Sequence, residues 1–352
     1  MHRNRRRAAL KRLGAFALAG QTSGAGPAAA TAGSAAPQGA ARTPRGGIHD
    51  LHAPQRAVQS LAQAATRPER THSGPAAAMK MQTRTIPSSG EPLPIVGCGT
   101  YVGFDVEPGT IAYRELTAVL KALFEAGGSV IDSSPMYGRA ESTVGELIET
   151  MQARSLAFVA TKVWTSSRER GIEQMTQSME RLKSRPIDLM QIHNLVDWRA
   201  HLLTLREWKE QGKVRYLGVS HYTPSAYDQL EAVMREHALD FVQLNYSIDE
   251  REAEARLLPL AADLGIGIIV NRPFGGGGLL RKLGKRPLPG WAADLGCSSW
   301  AQVLLKFVLG HPAVTCVIPG TGKAAHMLDN VAAGTGPLPD QAMRERMAAD
   351  WT

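Results

Sequence analysis

Residues 157–194, AFVATKVWTSSRERGIEQMTQSMERLKSRPIDLMQIHN, decide the fold. The stretch begins and ends on short, nearly continuous apolar runs, AFVATKV (157–163) and IDLMQIHN (187–194). Between them Ile172, Met175, Met179 and Leu182 step by three and four, the spacing of one buried helix face. Strand, amphipathic helix, strand is a βαβ unit. Strands that are apolar on both faces belong to a parallel sheet covered by helices.

The same rhythm continues in both directions. Apolar runs fall at 94–99, 129–133, 157–163, 187–194, 214–220, 241–247, 267–274 and 315–320, with amphipathic segments between them and one more, KAAHMLDNVAA, after the last. Eight such units predict a (β/α)8 barrel. Ahead of it, MQTRTIPSSGEPLPIV (81–96) carries a turn signal at Ser88, Ser89 and Gly90 between two short runs, which predicts an N-terminal hairpin. A doubly wound open sheet would place a GxGxxG turn after its first strand, and GCGTYVG (97–103) lacks that order. GTGKAAH (320–326) is no P-loop either, because Ala324 stands where a hydroxyl must hold the metal.

Composition separates a leader from the fold. Residues 1–78 are Ala, Gly, Pro, Ser, Gln and Arg with little periodicity, and 79–352 form the expected barrel domain. The leader holds 11 Arg and Lys against Asp50 and Glu69, a net +9; since the whole chain is +8, the remainder carries −1. The basic pI therefore describes the leader, and a nucleic-acid-binding barrel has no electrostatic support. The opening RNRRRAALKRLGAFALAG sets Arg6 and Arg7 before a short, mild apolar stretch, an order that resembles a twin-arginine export signal. That reading implies a periplasmic or exported protein; the alternative is a cytoplasmic one whose true start is Met79. No apolar run reaches transmembrane length. Cys98, Cys297 and Cys316 are too few and scattered for a disulfide framework or a CxxC site, and buried free thiols are expected.

In such a barrel the working residues sit at the C-terminal ends of strands and in the loops that follow. Asp132 ends the second strand, Tyr137 follows in its loop, Lys162 ends the third strand and His193 the fourth. A carbonyl that accepts hydride gathers negative charge on oxygen and needs a proton donor and hydrogen-bond donors there. A tyrosine near pKa 10 becomes a better acid beside a cation, which Lys162 paired with Asp132 would supply, while His193 would orient the carbonyl. Singly, Asp132 reads as a helix cap, Lys162 as a snorkelled lysine and His193 as a satisfied core histidine. A charged lysine inside FVATKV is costly unless paired, however, which favours a functional site. A metal centre would need ligands on several strands; only His193 and Asp132 qualify, with the repelling Lys162 between them.

The motifs VGCGTY, VIDSSPMYGRAE, ATKVW, QIHN, YLGVSHY, FVQLNYS and VIPGTGKAAHMLDN together resemble the aldo-keto reductase family over about Gln82 to Ala333. The resemblance implies a catalytic tetrad of Asp132, Tyr137, Lys162 and His193, a nicotinamide cofactor extended across the barrel mouth, and a small carbonyl substrate. It implies NADPH as cofactor, with NADH possible. Gly99 and Thr100 would line the cofactor floor, and Ser220 and Gln243, with His221 in place of the usual asparagine, would hold the carboxamide. The Pro273, Phe274 and Gly275 loop would approach the pyrophosphate, and Gly320, Thr321, Lys323, His326 and Asn330 would surround the adenosine. Tyr101 and Trp164 would wall the substrate pocket. Asn271 stands where many members stack an aromatic ring on the nicotinamide. Gly320 and His326 stand where Lys and Arg are frequent, which leaves Lys323, with the amides of Thr321 to Ala324, to read a 2′-phosphate. The alternative to a reductase is a cofactor-binding, redox-sensing accessory subunit with slow turnover.

Overall fold

The computed structural model describes residues 80–351 apart from residue 285. The leader, its paired arginines and the boundary at 78/79 lie outside the described residues. The chain enters through a hairpin, β1 (Thr83–Thr85) antiparallel to β2 (Pro92–Pro94). Eight parallel strands follow in sequential order: β3 (Cys98–Gly99), β4 (Val130–Asp132), β5 (Phe158–Val163), β6 (Ile187–His193), β7 (Val214–Ser220), β8 (Phe241–Asn245), β9 (Gly267–Asn271) and β10 (Val314–Val317). The helices after successive strands are α1 (Ile111–Glu125), α2 (Ala140–Thr150), α3 (Arg168–Arg181), α4 (Trp198–Glu210), α5 (Tyr227–Glu236) and α6 (Leu257–Leu264). After β9 come the short α7 (Gly278–Leu283) and then α8 (Trp300–Leu309); after β10 come α9 (Ala324–Ala332) and the terminal α10 (Gln341–Trp351). This is the expected (β/α)8 barrel.

The first strand is shorter than the run 94–99. Pro94 has no N–H to donate, and β3 pairs with β4 only at Cys98↔Ile131 and Gly99↔Asp132. The barrel closes there through single bridges, Val96↔Val317 and Gly99↔Gly320, with Gly97 N–H donating to the Val317 carbonyl at 2.9 Å. Small residues make this seam possible. A Cβ on Gly97 would lie 2.7 Å from the Val130 Cβ, one on Gly99 2.9 Å from the Ile318 carbonyl, and one on Gly322 2.9 Å from the Gly103 carbonyl.

Strand alternation sorts the interior into two storeys. Val130, Phe158, Leu189, Tyr216, Phe241, Ile269 and Cys316 form an apolar lower layer, closed below by Ile86 and Leu93 of the hairpin. Two or four residues further along the same strands come Asp132, Lys162, Gln191, His193, Ser220, Gln243 and Asn271. Their side chains share the inward face, so these polar groups collect at the upper end, while the Tyr216 phenol of the lower layer meets Ser89 and Glu91 below. The outer faces of the strands pack the helices; Met175, Met179 and Leu182 of the α3 region are buried there. All three cysteines are buried and free.

Candidate active site

Asp132 is the hub of the upper layer. One of its carboxylate oxygens accepts from Lys162 Nζ at 2.5 Å, and the other from Gln243 Nε2 at 2.9 Å and Gln191 Nε2 at 3.1 Å. Lys162 is wholly buried and also donates to the Ser133 carbonyl at 2.7 Å. Burial works against its charge, but Asp132 and then Tyr137 outweigh it and hold the ammonium above its ordinary range. Thr100 fixes the strand end: its amide and hydroxyl both donate to the Asp132 carbonyl, at 3.0 and 3.1 Å.

Tyr137 reaches this pair from the loop after β4, with Lys162 Nζ 5.3 Å from its ring centroid and Tyr101 edge-on at 5.0 Å. The sequence led us to expect a phenol made more acidic by Lys162. Instead its pKa is raised: burial dominates, and the pull of Lys162 offsets it only in part. The group is thus a phenol, with its proton in place, through the neutral range.

His193 Nδ1 lies 2.9 Å from the Ser220 hydroxyl. Burial, reinforced by Lys162 and His221, pushes the imidazole down to about 3, so it is neutral. In the tautomer in which Nδ1 accepts from Ser220, Nε2 carries the proton. Ser220, expected at the carboxamide, lies against His193. His221 Nδ1 accepts the Thr223 amide at 3.3 Å, and its carbonyl accepts from Asn271 Nδ2 at 3.1 Å.

A cavity of about 900 Å³ opens over these groups. Its wall includes Gly99, Thr100, Tyr101, Asp132, Tyr137, His193 and Gln243 at one end, then Asn271, Pro273, Phe274, Gly276 and Gly277, and Ser299, Trp300, Gly320, Thr321, His326, Asp329 and Asn330 at the other. Ser220, His221, Gly275, Lys162, Lys323 and Trp164 are off this wall. Among the lining residues that escaped the sequence reading are Tyr222, stacked on His221 at 5.7 Å; Met136, next to Tyr137; Arg272, whose signal was its position beside Asn271 in VNRPF; and Ser299, Trp300 and Asp329 at the far end. Trp164 is 41% exposed, and its backbone amide donates to Gln174 Oε1 at 2.6 Å.

The adenosine end departs from expectation. The Lys323 amide donates to the Thr321 hydroxyl at 3.1 Å, and the Ala324 amide to Glu115 Oε1 of α1 at 2.9 Å. Two amides at the start of α9 are thus engaged within the protein, and Lys323 is not on the cavity wall. The carboxylate there is Asp329, fixed by Ser299 at 2.8 Å and Gln302 at 2.6 Å.

The chain matches the model of the Aldo/keto reductase family over residues 96–350. It belongs to that family. Among the relatives of this aldo/keto reductase are aldo-keto reductase YhdN of Bacillus subtilis (strain 168), 30% identical over 199 residues covering 52% of this chain, and aldo-keto reductase str7 of Strobilurus tenacellus, 29% identical and covering 63%. The match spans 59% of the length of the Bacillus protein and 77% of the Strobilurus protein. An aldo-keto reductase from Klebsiella pneumoniae, solved in complex with NADPH, shares the fold with a TM-score of 0.66 at 22% identity, covering 78% of this chain and 96% of its own. Among the described residues no helix of the reductase is long and apolar enough to cross a membrane, and no group of three or more His, Cys, Asp or Glu is placed to hold a metal.

Proposed function

We propose that this aldo/keto reductase reduces an aldehyde or ketone to an alcohol, with hydride from NADPH, or NADH, and the proton from Tyr137. The observation that carries the proposal is the buried Asp132–Lys162 pair beneath Tyr137, with a neutral His193 beside it at one end of the long cavity. The residues present fit a nicotinamide dinucleotide: Asn271 Nδ2 donates to Gln243 Oε1 at 3.4 Å, while Asn271 Oδ1 is buried without a partner and suits a carboxamide N–H. The glycine strip of Gly276 and Gly277 leaves room for a phosphate linkage to approach the backbone.

When bound, the reduced nicotinamide supplies the hydride. The protein does the rest. Tyr137 and the Nε2–H of His193 aim two donors at the carbonyl oxygen, polarising it, and the Tyr137 proton moves to that oxygen as its charge develops. Lys162 stabilises the phenolate left behind, and Asp132 keeps Lys162 charged and in place. Tyr101, Met136 and Tyr222 offer an apolar mouth for the carbonyl's substituents. The test is fluorescence quenching with NADPH and NADH, followed by a panel of aldehydes and ketones. Binding of neither cofactor, or binding without turnover of any carbonyl, would overturn the proposal.

A further inference from the structure

Resting on that reading, we infer that Arg272 is the residue that neutralises the cofactor's pyrophosphate. It is the only arginine or lysine on the cavity wall among the described residues. The guanidinium lies against the glycine strip: a Cβ built on Gly276 would sit 3.5 Å from Arg272 Nη2 and 3.9 Å from its Cζ. On its other side is the Tyr222 ring, with Arg272 Cζ 5.8 Å from the centroid. Tyr222 in turn stacks on His221 and His193, so the guanidinium is held between the catalytic end and the strip.

Arg272 is exposed and has no carboxylate within ion-pair distance among the described residues, which leaves its guanidinium free to meet a ligand on the concave wall. In addition, Arg272 has φ +51°, a left-handed conformation that costs a side-chain-bearing residue energy and that glycine adopts freely. Such strain concentrates where function fixes the backbone. Here it turns the side chain back over Gly276, whose own φ of +63° keeps the strip flat beneath it.

A pyrophosphate bridge carries two charges and presents oxygens that a planar guanidinium engages in pairs. The strip has no side chain to block them, and with the Gly277 amide already donating to the Phe274 carbonyl at 2.8 Å, Arg272 supplies the charged contact. Arg281 serves as a control: its Nη1 would lie 3.3 Å from a Cβ on Gly277, yet it is off the cavity wall.

Dissociation constants for NADPH, NADH and ADP-ribose, with melting temperatures, test the assignment in the wild type, Arg272→Gln, Arg272→Lys, Arg272→Gly and Arg281→Gln. Arg272→Gln should weaken all three ligands alike, by roughly 10- to 100-fold, the contribution of a charge-assisted contact. Arg272→Lys should fall between, Arg281→Gln should bind like the wild type, and Arg272→Gly should weaken binding yet melt higher. Wild-type affinities retained in Arg272→Gln would overturn this inference alone. Failure of the wild type to bind any of the three would overturn the functional proposal and this inference with it. A loss in Arg272→Gln confined to the KM of a carboxylate-bearing carbonyl would reassign Arg272 to the substrate.

Discussion

Glu115 of α1 accepts the Ala324 amide of α9 at 2.9 Å across the barrel's last helix pair. A carboxylate thus occupies the start of the helix where the sequence reading placed a 2′-phosphate. Glu115→Gln keeps an acceptor and removes the charge. It should tighten NADPH by about 2- to 5-fold, the size of a partly exposed helix-end or charge–charge effect, and leave NADH unchanged. Lys323→Ala, off the wall, should weaken NADPH by less than about 3-fold. Equal shifts for the two cofactors in Glu115→Gln titrations would rule this account out.

Tyr137→Phe removes the proposed proton donor and keeps the ring that meets Tyr101 edge-on. Single-turnover hydride transfer should drop by on the order of 10²- to 10⁴-fold while the dissociation constant of NADPH stays put. Activity left intact would mean that another group gives the proton.

His193 has a depressed pKa, about 3 when folded against 6.5 when unfolded. Between these values the unfolded chain binds more protons than the folded one. The contribution of His193 to stability is therefore full above pH 6.5 and is lost as pH falls through 6.5 toward 3. The imidazole Cε1–H resonance of His193 should not titrate between pH 5 and 8, and the urea midpoint should decline from pH 6.5 to 4 less steeply in His193→Asn. An imidazole inflection near pH 6.5 in the folded protein would contradict the neutral orienting role.

Lys162→Met strands the Asp132 carboxylate with only the Gln191 and Gln243 amides. Breaking such a buried pair costs about 3–5 kcal/mol, visible in urea unfolding. Asp132→Asn combined with Lys162→Met should regain much of that stability but no activity. A single variant as stable as the wild type would show that the pair is not coupled as described.

The barrel was legible because it rests on periodicity. A lysine in an apolar strand must be paired, and the two-residue alternation sends Asp132, Lys162 and His193 to the same face. What the sequence left hidden depends on contacts between distant segments. Glu115 and Ala324 are 209 residues apart, and nothing in RELTAVL marks that glutamate as a cap. Ser220 is expected at the carboxamide by resemblance, and its contact with His193, its register partner on the neighbouring strand, is not visible in the sequence. The sign of the shift at Tyr137 was equally unreadable, since it depends on how deeply the ring is buried. The terminal α10 was missed because its buried Arg344 and Met347 do not form an amphipathic stripe.

The seam where the first strand meets the last sets a boundary on how this protein can change. Along it, Gly97, Gly99 and Gly322 face backbone or branched side chains at under 3.0 Å, so even an alanine would wedge the cylinder apart. The loops flanking that seam also carry Tyr101 on one side and Thr321 on the other. Mutational drift here is therefore confined to side chains away from these glycines, such as Met136 and Trp164, each about 40% exposed. A saturation library should tolerate many residues at those two positions and almost none at the seam glycines, so new substrate preferences would arise without any change to the seam.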